Sequence, residues 1–306
     1  MRTTATLLTI AALLVSTAGA RPRRFAIAIV RLDGRLVPFA SYDGTRWEKA
    51  WPEPDEAILG KPTIDEVPSV WRRRGEPVPG IWHVWRTGRA TPIEARVTGA
   101  EVVEAHCQGQ IALKTDLPEA KRKRPVEMPM VEGRAGGAVD SSSVPVGAIE
   151  ALRPSGVGWR AAARAVISSF STLEAGLAQA QGARLPVETP ASVPRITALY
   201  RQVGAPRFPM YFVADKEYRP CTARTIMTGW LLPADAGGWT LRNPRVWLTD
   251  CDLKEPRIAL PLAALQASSR LFWVLQEHGY EDETYVIAEV GPSEVRYSLA
   301  VNGGGC

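Results

Sequence analysis

The sequence predicts a mainly β protein with one long amphipathic helix, arranged as an antiparallel sandwich, a barrel or an irregular propeller-like fold. Two observations carry this prediction: many short runs of β-forming residues are separated by turn residues, and only one segment has a helical period. The composition is 45% hydrophobic and 23% charged, which is typical of a globular chain and excludes extensive disorder. An α+β arrangement is the alternative.

Thirteen runs of residues have the pattern of strands. The first is at 25–32, and Asp33-Gly34 separates it from a second at 36–42, which predicts a hairpin. The remaining runs are at 81–86, 93–97, 102–106, 110–114, 196–202, 210–214, 225–232, 246–250, 271–276, 285–290 and 295–301. Short strands with turn signals between them are typical of antiparallel folds.

One segment, residues 158–181, has the period of an amphipathic helix. Its apolar side chains recur at spacings of three and four residues, and they include Trp159, Val166, Phe170 and Leu177. Because its polar face has few cations, we expect this helix to pack across a sheet rather than to lie on a membrane surface.

Residues 116–157 predict a linker or a long loop. They are rich in proline, glycine and serine, and they contain a basic cluster at 121–124. No aromatic side chain is interleaved with this cluster, so we interpret it as an exposed loop and expect no nucleic-acid partner. The β-rich parts on either side, residues 21–115 and 192–306, form either one sheet system or two domains.

Residues 1–20 have the pattern of a secretory signal peptide. Arg2 precedes an apolar run at 7–15, and Ala18-Gly19-Ala20 provides the small residues for cleavage after Ala20. The run is about half of the roughly 20 apolar residues that span a bilayer, so an uncleaved anchor is the weaker interpretation. We therefore predict a secreted or periplasmic protein with no transmembrane segment in its mature chain.

The four cysteines of an exported chain predict disulfide bonds, for which three connectivities exist. We favour Cys221 with Cys251, because both lie in one strand-rich segment, and Cys107 with Cys306, because this bond would hold the glycine-rich C-terminal tail. A Cys107 nucleophile beside His106 is the alternative. Neighbouring residues of a strand point to opposite faces, however, which argues against this pair.

The familiar catalytic and phosphate-binding motifs do not occur in the sequence. The three histidines lie far apart and the cysteines are assigned to disulfides, so we predict neither a metal site nor a cofactor. Two acidic clusters have structural interpretations. The cluster at 250–255 is interpreted as a polar strand end, and the one at 281–283 as a solvated hairpin tip.

Tryptophan is the residue type that suggests a function. Five of the ten tryptophans lie between positions 47 and 85, among several carboxylates. Flat aromatic side chains beside carboxylates suit glycan binding, with Trp47, Trp51 and Trp71 as the binding platform. The alternative, which we favour, is that these indoles fill the core between sheets.

Two hypotheses for the function follow from these patterns. The first is a non-enzymatic binding or cell-envelope-associated protein whose partner is a glycan or another envelope protein. The second is an extracytoplasmic hydrolase that acts on glycans through carboxylates near residues 47–85, since two facing carboxylates can hydrolyse a glycosidic bond.

Mass analysis of the exported, unreduced protein tests the disulfide assignment. We expect no alkylatable thiol and two crosslinked peptide pairs, one with Cys221 and Cys251 and the other with Cys107 and Cys306. Reduced protein is the control, in which all four thiols react. Two or more reactive thiols in the unreduced protein would contradict the assignment and restore Cys107 as a candidate nucleophile.

Overall fold

The structure is a computed structural model, and it describes residues 24–49, 80–86, 91–105, 108–118, 134–139, 146–154, 156–186, 192–204, 209–218, 223–234, 237–250 and 256–306. Strands account for 64% of it and form two curled antiparallel sheets, which are accompanied by a single helix. The prediction of a mainly β fold with one long helix is confirmed.

The first sheet contains β1 (Phe25–Arg31), β2 (Leu36–Tyr42), β3 (Trp47–Lys49), β4 (Ile81–Arg86), β5 (Ile93–Ala105), β6 (Gln108–Thr115) and β7 (Arg134–Val139). The second sheet contains β8 (Val146–Ala151), β9 (Arg195–Gln202), β10 (Met210–Tyr218), β11 (Ala223–Pro233), β12 (Trp239–Thr249), β13 (Ile258–Ala267), β14 (Arg270–His278), β15 (Asp282–Val290) and β16 (Val295–Gly305). Between β8 and β9 lies helix α1 (Val157–Gln181).

Six strands of the first sheet close into a ring, in the order β1-β7-β4-β5-β6-β2 and back to β1. β2 completes this six-strand ring because Leu36 pairs with Leu113 of β6 while the strand also pairs with β1. The predicted turn at Asp33-Gly34 joins β1 to β2. Gly34 has a φ of 80, and a Cβ there would lie 2.5 Å from the carbonyl oxygen of Leu117, so only glycine fits this turn.

Four hydrophobic cores are stacked, and strands that are buried on both faces separate them. Ala26 and Ala28 of β1 fill the inside of the six-strand ring. Phe25 and Ile27 of the same strand face the second sheet. Strands β14 and β10 alternate in the same way between the following cores. Each boundary between cores therefore depends on the two-residue period of a strand.

The second sheet has the strand order β12-β11-β10-β9-β8-β13-β14-β15-β16. The short strand β8 joins its two halves, because its first residues pair with β13 and its last residues pair with β9. The sheet then curls, so that β10 and β11 face β14 and β15. Between them lies a shared core that includes Tyr211, Trp230 and Trp273.

Side chains connect the edge strand β12 to the opposite end of this curled sheet. The Nδ2 of Asn243 donates a hydrogen bond of 2.7 Å to the carbonyl oxygen of Val295. Arg245 lies over the Tyr297 side chain, 4.6 Å from its centroid, and donates to Glu277 at 2.7 Å. These contacts hold the two edges of the curled sheet together.

Helix α1 covers the outer face of β9, β11 and β12, as its period predicts. Val166 and Phe170 are buried in the core that the helix shares with the sheet. The helix ends at Gly182, which has the left-handed conformation, and the N–H groups of Gly182 and Ala183 bond the last free carbonyls.

A buried carboxylate fastens α1 to the sheet. Glu174 is 2% exposed and accepts hydrogen bonds from Lys216 Nζ at 2.7 Å and from the Tyr218 hydroxyl at 2.8 Å. Thr225 donates a third hydrogen bond to the same carboxylate. Burial alone would lower the pKa of Lys216, but its hydrogen bonds to Glu174 and Tyr218 outweigh this effect and raise the pKa. The charge on Lys216 is therefore retained inside the protein.

The prediction of a continuous linker at 116–157 is wrong. This segment contains β7, which lies between β1 and β4 in the six-strand ring, and β8, which joins the halves of the second sheet. The sequence did not predict β7, because this strand consists mostly of glycine and alanine, whereas strands usually contain larger apolar residues. The basic cluster at 121–124 lies outside the described residues.

Other strands also differ from the predicted runs. The runs at 93–97 and 102–106 form one strand, β5, with a bulge beside Gly99. The predicted runs do not include β3 and β13. The glycine-rich C-terminal tail, which is not part of any predicted run, extends β16 to Gly305. Its glycines allow this close packing, because a Cβ on Gly304 would lie 2.4 Å from the carbonyl oxygen of Ala105.

Replacing Glu174 with alanine should destabilise the protein by about 3 kcal/mol, because the change leaves the mostly buried Lys216 without its carboxylate. Urea unfolding followed by tryptophan fluorescence measures the free energy. Gln179→Ala, an exposed change on the same helix, is the matched control and should change it by less than about 0.5 kcal/mol. Equal effects of the two variants would show that the buried network adds nothing to stability.

Candidate ligand-binding cleft

A cleft of about 1020 Å³ opens at one end of the second sheet. Five parts of the chain form its walls: the beginning of β8 and the connections β9–β10, β11–β12, β13–β14 and β15–β16. The mouth of a curled or closed sheet is a frequent place for a ligand site. No sequence pattern indicated this cleft, because its walls are distant from one another in the chain.

The described side chains that line the cleft are uncharged. None of its sixteen described lining residues is ionisable. The polar groups are the amides of Gln202 and Gln266, the hydroxyl of Ser269 and the backbone of glycine-containing turns. This set suits an uncharged ligand, and it supplies hydrogen bonds rather than a general acid or base.

Gln202 provides an unpaired acceptor in the cleft. Its Oε1 is buried and receives no hydrogen bond from the described residues. Its Nε2 lies against Gly147, where an added Cβ would be only 2.2 Å away. Because buried polar atoms are almost always hydrogen-bonded, this oxygen is suited to accept a hydrogen bond from a bound molecule.

The β13–β14 turn brings Ser269 to the cleft in a strained conformation. Ser268 and Ser269 have φ values of 48 and 62. For a residue other than glycine or asparagine this conformation costs on the order of 1 kcal/mol. The hydroxyl of Ser269 donates to the carbonyl of Ser268 at 2.5 Å. Such strain is concentrated at functional sites, which agrees with the position of this turn.

Aromatic side chains of the shared core lie below the cleft. Trp273 is fully buried and pairs across the sheet with Ala264, which lines the cleft. Its indole lies edge-on to that of Trp230 at 5.1 Å, and Tyr211 contacts Trp230 at 5.2 Å. Burial raises the pKa of Tyr211 above its usual value. The packed rings limit the cleft to the mouth of the sheet.

The structure describes one of the three residues of the predicted tryptophan platform. Trp47 is only 7% exposed, and its indole lies 5.0 Å from the Tyr42 ring and 5.3 Å from the Phe272 ring. It fills the core between the two sheets, which agrees with the favoured interpretation and not with the open binding platform. Trp51 and Trp71 lie outside the described residues.

The described carboxylates near the tryptophan platform give the hydrolase hypothesis little support. Among the described residues between 47 and 85, Glu48 is the one carboxylate, and it pairs with Arg46 at 2.7 Å. Trp82 is buried inside the six-strand ring, whereas Trp85 faces the second sheet. The facing pair of carboxylates that hydrolysis requires therefore stays a prediction.

A second polar cluster lies on the face of β14 and β15 that contacts the first sheet. Gln276 and His278 stand opposite Tyr285 and Glu283, respectively. Gln276 is fully buried, and neither of its amide atoms has a hydrogen-bond partner among the described residues. Glu283 is only 2% exposed, so the prediction of a solvated hairpin tip at 281–283 is wrong for this residue. In the described ranges no three potential metal ligands of the His, Cys, Asp or Glu types come together.

Cys306 is disulfide-bonded, and its backbone N–H donates to the carbonyl of Glu281 at 3.0 Å. The other three cysteines, Cys107, Cys221 and Cys251, lie outside the described residues. The pairing of the cysteines therefore stays a prediction.

Comparison of the chain with protein-family models, with curated proteins and with solved structures finds no match. Across the described ranges, no helix is both long enough and apolar enough to cross a membrane. The function is therefore inferred from the chemistry of the cleft and from the N-terminal sequence.

The half-buried His278 should make stability depend on pH. Burial lowers the pKa of His278, and the nearby Glu283 carboxylate only partly opposes this effect. The unfolded chain therefore binds a proton near pH 6.5 that the folded protein does not bind. As the pH falls below this value, the free energy of unfolding should decrease with a slope of at most about 1.4 kcal/mol per pH unit.

Urea unfolding at a series of pH values from about 7.5 down to about 5 measures this slope. This range lies roughly above the pH at which carboxylates titrate. The His278→Gln variant lacks the titrating imidazole, and its slope should be smaller than that of the wild type. His83→Gln is the matched control. An unchanged slope in His278→Gln would contradict the assignment.

Proposed function

We propose that this protein is an exported, non-enzymatic binding protein and that the cleft at the mouth of the second sheet is its ligand site. The observation that carries the proposal is the cleft of about 1020 Å³ with uncharged lining residues and an unpaired amide acceptor on Gln202. Export is supported by the signal-like pattern of residues 1–20.

The hydrolase alternative has weaker support. It needs two carboxylates that flank a substrate, whereas the described lining residues of the cleft include none. Glu48 is exposed and paired with Arg46, and Trp47 beside it is buried. Hydrogen-bonding groups without an acid or base are typical of a site that holds a molecule unchanged.

We also propose that Cys107 and Cys306 form one disulfide. Gly304 lies against the carbonyl of Ala105, and Asn302 donates to the side chain of Gln108 at 3.5 Å. The chain on both sides of position 107 is thus next to the C-terminal end of β16. A bond here would connect the two sheets covalently and would add about 3–4 kcal/mol to stability.

Blocking the cleft tests the proposed function. A Cβ on Gly238 would meet nothing within 4 Å, so Gly238→Trp should place an indole in the cleft without disturbing the fold. In a pull-down screen against purified polysaccharides, we expect retention of the wild type and at least about tenfold weaker retention of this variant, since a blocked pocket loses its ligand contacts.

Gly80→Trp is the matched control for the blocked cleft. Gly80 also has open space around it and does not line the cleft, so this variant should be retained like the wild type. Reducing-end release is measured in the same incubations. Equal retention of both variants would contradict the cleft as the site, and release of reducing ends by the wild type would overturn the non-enzymatic assignment.

A further inference from the structure

We infer that the ligand of the cleft is a neutral saccharide and that Gln202 is the side chain that recognises its hydroxyl groups. This inference rests on the proposed function and makes its ligand class specific. Three observations support it: the uncharged side chains among the described lining residues, the packed aromatic interior of the sheet and the position of the Gln202 amide.

The absence of charge among the described lining residues disfavours anionic and cationic ligands. A carboxylated, sulfated or phosphorylated ligand is normally bound by arginine, lysine or a cluster of backbone N–H groups, because its charge must be compensated when water is removed. The described lining residues contain no basic or acidic side chain. Their hydrogen-bonding groups are amides and a hydroxyl, which pair well with neutral hydroxyl groups.

The packed interior of the second sheet disfavours a lipid. An acyl chain needs a long apolar channel, such as the unfilled interior of a curled sheet. Here the interior is filled, because Trp230 and Trp273 are fully buried and Tyr211 is 3% exposed beneath the cleft. A ligand therefore lies across the mouth, in contact with turns and with the half-buried Trp239. A broad polar molecule with apolar ring faces fits this mouth, and an indole is a suitable surface for such a face.

The position of Gln202 explains how hydroxyl groups are recognised. The buried Oε1 needs a donor, and a sugar hydroxyl is a donor that is also able to accept from Nε2 or a neighbouring group. Gly147 leaves room for the amide, because a Cβ at this position would lie 2.2 Å from Nε2 and would displace it. Gln202 thus acts as a contact residue for the ligand, and Gly147 acts as a positioning residue behind it.

The experiment compares Gln202→Met with the wild type. Methionine keeps the length and shape of the side chain but has no amide. The probes are a glycan array with neutral and uronic-acid oligosaccharides and, separately, cis-parinaric acid as a fluorescent fatty acid. Titration calorimetry with the best neutral oligosaccharide should show about tenfold weaker binding by Gln202→Met, as expected for one lost hydrogen bond to a buried acceptor.

Two further variants make the result specific. Gly147→Ala should also weaken binding of the neutral oligosaccharide, because its Cβ displaces the Gln202 amide. Gln179→Met, the same substitution at an exposed position on α1, should bind like the wild type. Thermal unfolding of each variant shows whether the protein remains folded. If Gly147→Ala does not fold, Gln202→Met alone still tests the inference.

The outcomes separate this inference from the proposed function. Neutral oligosaccharide binding that is equal in Gln202→Met and wild type would overturn the role of Gln202. Binding of uronic-acid oligosaccharides that Gly238→Trp abolishes would overturn the neutral character of the ligand, and such binding of cis-parinaric acid would overturn the saccharide class; both results would leave the cleft as the ligand site. Absence of binding to every probe would overturn the inference and remove the support for the proposed function.

Discussion

The two-sided burial of β14 and β15 is the constraint on which the rest of the structure depends. Phe272 and Val274 point toward the first sheet, whereas Trp273 and Leu275 point into the shared core of the second. A slip of one residue would exchange these two sets. It would place the Trp273 indole against the first sheet and would remove this residue from below the cleft. The register of this strand pair therefore determines both how the sheets pack and where a ligand has room.

The cleft exists because the second sheet curls without leaving its interior empty. Trp230, Trp273 and Tyr211 fill the interior, and the turns extend beyond this filling to form an open mouth. The side-chain contacts of Asn243 with β16 help to keep the curl. The proposed binding surface thus consists of turns that a packed core supports, an arrangement that holds hydrogen-bonding groups in fixed positions.

Local patterns predicted the elements whose signals are local. The hairpin at Asp33-Gly34 and helix α1 are of this kind, because a turn residue or a helical period is visible in one window. β7 and β13 were not predicted from the sequence. β7 lacks large apolar residues, and the turn after β13 uses Ser268-Ser269 in place of the asparagine-glycine or aspartate-glycine pairs that mark such turns. Their partners in the sheets stabilise them, and partners distant in the chain have no signature in one sequence.

By itself, the sequence determined the mainly β class and the long helix α1, because composition and period are properties of short segments; its N-terminal motif predicts export. The tertiary structure decided which tryptophans are buried and where a ligand has room. Trp47 became a core residue because β14 brings Phe272 against it. Gln202 became a candidate contact residue because strand pairing brings Gly147 and four turns to the same end of the sheet. A site built from five separate parts of the chain exists only after the strands have paired, so no single segment of the sequence contains it.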